Sequence, residues 1–221
     1  MQVYNGLDFT LKNTAVSLGK FDGIHRGHRL LLEHITARKD LHPAVFTFGI
    51  SQGNGIMPGQ QIYSPQEKQL ILQELGIEHE IIFPFNETTK NMTAEEFIED
   101  VLVKRLDARY ICVGEDCHFG RKRQGNIEML RHYASRYGYE LEVLPKLTCD
   151  DENISSTRIR WELSTGRLEK VNELLGAPYF VYGTVIHGNA LGHTIGMPTA
   201  NLAPSPTKVL PVYGVYATSV E

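Results

Sequence analysis

Short runs of β character alternate along this chain with stretches of helical periodicity, and that alternation limits the fold more than any single motif. Thr14-Ala15-Val16, His42-Pro43-Ala44-Val45-Phe46-Thr47-Phe48, Glu80-Ile81-Ile82-Phe83-Pro84, Tyr110-Ile111-Cys112-Val113 and Tyr139-Glu140-Leu141-Glu142-Val143-Leu144 are the β-prone runs. Leu30-Leu31-Leu32-Glu33-His34-Ile35 opens a helix that reaches about Arg38. Ser64-Pro65-Gln66-Glu67 is a second helix start: the serine caps, the proline fits the first position, and the glutamate completes a capping box. Leu70, Ile71, Leu72 and Leu75 form its apolar face and Gly76 stops it. Thr93-Ala94-Glu95-Glu96 is another box, with Phe97, Val101, Leu102 and Leu106 on the buried side, and Asn126 to Tyr137 is helical in pattern. Strands separated by helices predict an α/β fold with a parallel sheet covered on both faces. In such sheets ligands bind beyond the carboxyl ends of the strands, so the turns leaving the strands are where chemistry belongs.

Three of those turns are loaded with polar groups. The first, Ser17-Leu18-Gly19-Lys20-Phe21-Asp22-Gly23-Ile24-His25-Arg26-Gly27-His28, runs from a strand into a helix. Its glycines allow tight turning and close approach of a ligand to backbone N–H groups. The helix start offers unpaired donors and a positive dipole end, and His25 and His28 fall on one side of its first turn, which reads as a phosphate grip. A metal site is disfavoured, because no Glu-x-x-His motif follows and no third ligand lies at a suitable spacing. The second turn, Gly114 to Gly125, carries Glu115 and Asp116 and then Arg121-Lys122-Arg123, cations that can reach phosphates while Asp116 orients a sugar or base. In the third, Ser155, Ser156 or Thr157 can cap a helix running toward Ser164, with Arg160 one turn in. Gly49-Ile50-Ser51-Gln52-Gly53 matches the GxSxG nucleophile elbow but is followed by Asn54, Gly55, Pro58 and Gly59, which forbid the helix an elbow requires.

Composition removes other classes. A net charge of −4 makes no general polyanion-binding surface, so no nucleic-acid partner is expected. Three cysteines without a CxxC pair argue for a reducing compartment rather than a disulfide framework. No apolar run approaches the ~18 residues of a membrane span, and Met1-Gln2-Val3-Tyr4-Asn5 lacks the features of a signal peptide, so a cytoplasmic protein is expected.

Taken together, the turns resemble the bacterial bifunctional riboflavin kinase/FMN adenylyltransferase, or FAD synthetase, family. Gly19-Lys20-Phe21-Asp22-Gly23-Ile24-His25-Arg26-Gly27-His28 is similar to its G-x-FDG-x-H-x-GH signature; Val45 to Phe48, Pro84-Phe85 and Glu96-Phe97-Ile98 fit its spacing. Val113-Gly114-Glu115-Asp116 with Phe119-Gly120 resembles its VG-x-(D/N)-F-x-FG loop, and Ile154 to Arg160 its ISST-x-x-R motif. The resemblance implies a Rossmann-like nucleotidyltransferase domain over residues 1–178, followed by the start of a flavokinase β-barrel over 179–221. It implies that AMP passes from MgATP to FMN, giving FAD and pyrophosphate. His25, His28 and Arg160 are then catalytic, and Gly19, Phe21, Asp22, Gly23, Asp116, Ser155, Ser156 and Thr157 bind ATP. Mg²⁺ is the implied cofactor, held largely by phosphate oxygens and water rather than by protein alone, and the partners are small molecules: ATP, FMN and riboflavin. Lys20, Gly49-Ile50-Ser51-Gln52 and Cys117-His118 depart from the family pattern near the flavin side. The alternatives are a nucleotidyltransferase for another acceptor, such as phosphopantetheine or a nicotinate nucleotide, and a non-catalytic flavin or nucleotide sensor.

From Tyr179 the pattern changes to a strand, Tyr179 to Gly188, and a glycine-rich loop, with Gly192, Gly196, Met197-Pro198-Thr199-Ala200-Asn201 and then Tyr213 to Ala217. These residues resemble the opening of the flavokinase barrel, where a G-x-PTAN motif implies MgATP binding at Thr199 and Asn201. Ending at Glu221, the chain is expected to hold only part of that barrel and to lack riboflavin kinase activity by itself.

Overall fold

Neighbouring residues on the central strands face two separate cores, which is why these strands are apolar throughout instead of at every second position. Ala15, Val45, Tyr110 and Cys112 belong to one core and Val16, Ala44, Phe46, Ile111 and Val113 to the other. The computed structural model describes residues 1–48, 61–84, 86–188, 196 and 199–220. The GxSxG run at 49–53 with its loop, Phe85, Gly192 and Met197-Pro198 lie outside the described residues.

The main sheet contains β1 (Gln2–Asn5), β2 (Thr14–Gly19), β3 (His42–Phe48), β4 (His79–Phe83), β5 (Ala108–Gly114) and β6 (Glu140–Leu144) in the order β1-β4-β3-β2-β5-β6. All five pairings are parallel. β3 lies on one side of β2 and β5 on the other, so the direction of winding reverses between β2 and β5, opening a crevice at their carboxyl ends. The sheet thus has one strand more than the five the sequence pattern predicts, β1 being the addition.

α1 (Arg26–Thr36), α2 (Pro65–Glu74), α6 (Ser156–Ser164) and α7 (Leu168–Leu175) bury Leu32, Leu72, Ile159 and Leu174 on one face. The other face is covered by α4 (Ala94–Glu96), the π-helix Phe97–Val103 that continues it, and α5 (Ile127–Tyr137). Both capping boxes form, at Ser64/Glu67 and Thr93/Glu96. The helix expected after Thr93 widens after one turn, with Lys104 N–H donating to Glu99 O at 3.0 Å in the i→i−5 pattern. A short α3 (Glu87–Asn91) and a two-stranded ribbon of β7 (Thr148–Cys149) and β8 (Glu152–Asn153) complete this part.

The segment expected to open a barrel forms β9 (Gly183–Ile186) and β10 (Asn201–Pro204), paired antiparallel. The strand predicted from Tyr179 starts only at Gly183 because Tyr179 and Phe180 turn inward against the core. Past β10 the chain returns to the main body: Gln61 N–H donates to Thr207 O at 2.9 Å and Val209 N–H to Gln61 O at 2.7 Å.

Candidate active site

β2 ends at Gly19 and α1 begins at Arg26, so residues 20–25 make the whole reversal. Phe21 (φ 49°), Gly23 (φ 86°) and Ile24 (φ 39°) all adopt left-handed backbone. For Phe and Ile that costs on the order of 1–3 kcal/mol each, and the offset is visible in their side chains, both 0% exposed. Gly23 is required twice over, for its φ and because a Cβ there would lie 2.8 Å from Cδ1 of Ile62.

His25 is the N-cap of α1, its Nδ1 accepting from the His28 N–H at 3.4 Å. A ring that accepts at Nδ1 carries its proton on Nε2, which leaves a donor for a ligand. The two imidazoles stack with centroids 3.7 Å apart and planes 17° from parallel, and Phe21 packs on His28 at 5.1 Å. Burial lowers the His25 pKa to about 4, and burial together with the neighbouring His25 lowers that of His28 well below the ordinary value. Both rings are therefore neutral at pH 7, and what the pair offers at this helix N-terminus is hydrogen-bonding capacity rather than standing positive charge.

Asp22 joins this turn to α6. Its Oδ1 accepts from the Ile62 N–H at 3.0 Å, its Oδ2 pairs with Nη2 of Arg160, and its backbone carbonyl accepts from the Ser156 hydroxyl at 2.7 Å. Burial raises the Asp22 pKa while Arg160 opposes the shift. Ser155 caps α6 by accepting from the Arg158 N–H at 3.2 Å, and Thr157 stands exposed in the first turn. Gly19, Phe21, Asp22, Gly23, His25, His28, Ser155, Ser156, Thr157 and Arg160 thus belong to two helix starts tied together through one carboxylate.

Asp116 sits apart from that tie. Its exposed carboxylate pairs with Nζ of Lys146 at 2.9 Å, yet its charge reaches His25 and partly opposes the burial shift there. The loop is pinned by Phe119, buried against Phe97 with centroids 5.3 Å apart, and Gly125 leaves room for that ring. Arg121, Lys122 and Arg123 form an exposed 3₁₀ turn in which Arg123 contacts His118 at 3.5 Å. Thr199 and Asn201 are exposed and belong to the β9–β10 region. Gly188 makes way for Asn201, since a Cβ there would lie 2.0 Å from its Nδ2.

Residues 8–158 match the family model for FAD synthetase, and residues 175–221 that for riboflavin kinase. The chain belongs to the FAD synthetase family. It is 37% identical over 230 residues to the bifunctional riboflavin kinase/FMN adenylyltransferase of Haemophilus influenzae, covering 100% of this chain and 74% of that protein. Its identity to the Escherichia coli K12 protein of the same name is 35% over 211 residues, covering 93% and 67% respectively. Among solved structures it resembles a macrolide-efflux protein from Streptococcus pneumoniae, with a TM-score of 0.82, 33% identity, and coverage of 98% of this chain and 73% of that one. The efflux role in that name stays with that protein. Among the described residues of this FAD synthetase, no helix is long and apolar enough to cross a membrane.

Two features in and behind the turn after β2 were not anticipated from sequence. Beside Asp22, past β3 and β4, lies a cavity of about 130 Å³ lined by Lys20, Thr47, Tyr63, Lys68 and Glu80 among others. In it Nζ of Lys68 stands 2.7 Å from Oε1 of the fully buried Glu80. The second is a buried pair, Glu67 with Lys208, behind Ile62. An apolar strand carrying one acid (Glu80 between His79 and Ile81) is a signal that could have found the first; the second has none. Among the described residues three groups bring metal-ligating atoms within 4.8 Å of one another, around Glu142, Glu78 and Glu173, and none includes a residue of the turn.

Proposed function

We propose that this FAD synthetase binds ATP across the ends of β2, β5 and α6 and transfers its AMP moiety to FMN. FAD biosynthesis is the activity of the family to which the chain belongs, and neither another acceptor nor a sensor role has support. The observation that carries the site is the tie through Asp22, which brings the N-termini of α1 and α6 to one turn.

An FMN phosphate oxygen attacks the α-phosphorus of ATP. The new P–O bond forms as the bond to the β-phosphate bridging oxygen breaks, and pyrophosphate leaves with that electron pair. The FMN phosphate needs no base to become nucleophilic, so the protein's task is positioning and charge stabilisation. Backbone N–H groups of the α1 N-terminus and Nε2–H of His25, with His28 stacked on it, stabilise charge as it builds on the leaving group. Ser155, Ser156, Thr157 and Arg160 hold the β- and γ-phosphates from the α6 side, the guanidinium exchanging its Asp22 partner for phosphate.

Hard oxygen donors near the turn, Asp22 and the exposed Asp116, suit Mg²⁺. Bound with ATP, the ion would neutralise triphosphate charge, and Asp116, released from Lys146, would help hold it. Residues 1–178 are the adenylyltransferase domain in this reading and 179–221 belong to the riboflavin kinase region, where Thr199 and Asn201 serve a separate MgATP. The partners are small molecules, and a cytoplasmic setting fits both substrates.

The experiment is direct. Purified protein incubated with FMN and MgATP should form FAD and pyrophosphate in equal amounts, resolved by chromatography. Tight nucleotide binding with no FAD would overturn the reading.

A further inference from the structure

We propose that Lys208, on the segment leading through the riboflavin kinase region, is a positioning residue for the adenylyl-transfer site and acts through Ile62 and Asp22. The proposal rests on the site reading above and adds a residue that lies outside that site.

Ile62 is a bridge between the two regions. Its N–H donates to Asp22 Oδ1 at 3.0 Å, and its side chain, 0% exposed, fills the space that a Cβ on Gly23 would claim. Its carbonyl accepts from Nζ of Lys208 at 3.0 Å and shares the Tyr179 hydroxyl, 3.0 Å away, with the carbonyl of Val209. The residue therefore touches the nucleotide turn with one peptide group and the C-terminal segment with the other. Any shift of its backbone reaches Asp22, and through Asp22 the guanidinium of Arg160.

Lys208 is held too firmly to be an incidental contact. Its ammonium lies 3.0 Å from Oε2 of Glu67, and both side chains are 0% exposed. The rings of Tyr179 and Tyr63 face it at 4.2 and 4.8 Å. Glu67 is fixed in turn by the backbone N–H groups of Ser64 and Tyr182, each at 2.7 Å. Burial lowers the Lys208 pKa to about 8, with Glu67 opposing the shift, so the lysine is charged at neutral pH. Without it, Glu67 becomes an unpaired buried carboxylate, and the Ile62 carbonyl keeps only the tyrosine.

The test is a mutant cycle in the full chain, read as kcat and KM for FAD formation. Lys208→Met should lower kcat about tenfold with KM for FMN little changed, because positioning of a reacting phosphate is lost while flavin binding is not. Asp22→Asn should lower kcat as well. The double variant should be no slower than Asp22→Asn alone, within about twofold, since both act on one path. Leu174→Ala, a core change in α7 away from this path, should lower thermal stability while leaving kcat at low temperature near wild type. If Lys208→Met does not fold, Lys208→Met/Glu67→Gln removes both buried charges and takes its place. Wild-type kcat in the folded lysine variant, or effects of Lys208→Met and Asp22→Asn that multiply, would overturn this proposal while leaving the site reading intact. Wild-type turnover in Asp22→Asn would remove the site reading and this proposal with it.

Discussion

Two ion pairs lie on either side of Ile62, one in the nucleotide turn and one at the seam with the C-terminal segment, and they differ in access to water. In Arg160–Asp22 the arginine side chain is 37% exposed and the aspartate 11%. In Lys208–Glu67 both are 0% exposed. A guanidinium that still sees solvent can trade its carboxylate for an incoming phosphate. A sealed ammonium can only hold what it already holds, and removing its partner strands a charge. Charge alone does not mark a ligand-binding residue; exposure of the cation decides which pair an incoming anion can open and which stays shut.

Mutations at the sealed pair should therefore cost the fold stability as well as turnover, whereas those at the stacked histidines should cost mainly turnover. The largest effect should come from Glu67→Ala, which breaks the sealed pair, the capping box and the bond to Tyr182 together. A loss of roughly 3–5 kcal/mol is expected in denaturant unfolding, and unchanged stability would erase the contrast. His28→Ala should do the reverse. Adenylylation should fall by about one to three orders of magnitude, roughly 1.4–4 kcal/mol at the barrier, with flavin affinity and the unfolding midpoint little altered. Turnover near wild type would show that the stacked histidines are not the phosphate grip.

A pH titration of stability sharpens the picture further. His25 is near 4 in the folded protein and near 6.5 when unfolded, so in that window the unfolded chain binds the extra proton. Stability should therefore fall as pH drops from 6.5 toward 4, by roughly 2–3 kcal/mol in total, with His28 adding to the same slope. His25→Asn, which keeps a capping side chain, should flatten that slope; an unaltered slope would mean the burial is not costing the imidazole its charge. The smallest effect belongs to Ser155→Ala, about 0.5–2 kcal/mol of stability from one lost helix cap, measurable in the same unfolding assay.

The sheet was legible because strands buried on both faces are nearly continuous apolar runs, and α1, α2, α4, α5 and α6 because their starts carry local signals; α3 and α7 went unread, α7 because no side chain caps it. β1 escaped notice as a four-residue strand at an edge whose ends, Gln2 and Asn5, are exposed. The π-helix escaped because Phe97, Val101 and Leu102 fit an α-helical stripe equally well. At the candidate site, the placement of His25, His28, Ser155 and Arg160 at two helix starts could be read, since helix starts and glycine turns are written in adjacent residues. Their partners could not. Asp22 and Arg160 are 138 positions apart, and Lys208 and Glu67 are 141 apart. Glu67 looked complete as a capping-box residue, which hid its second partner. Neutrality of the histidines is likewise a property of burial, not of spacing.

The strand order has a consequence for how the chain is made. β1 is synthesised well before β4, yet among the described residues β4 is its one partner in the sheet, with Val3 opposite Glu80. At ribosomal speeds Gln2–Asn5 wait roughly 4–15 s for β4 to appear. Until then β1 has no ladder to join, and until β1 docks, the growing sheet carries β4 as an open edge above the buried Glu80. The four residues of β1 thus set when one flank of the nascent sheet is closed, long before the residues of α6 exist.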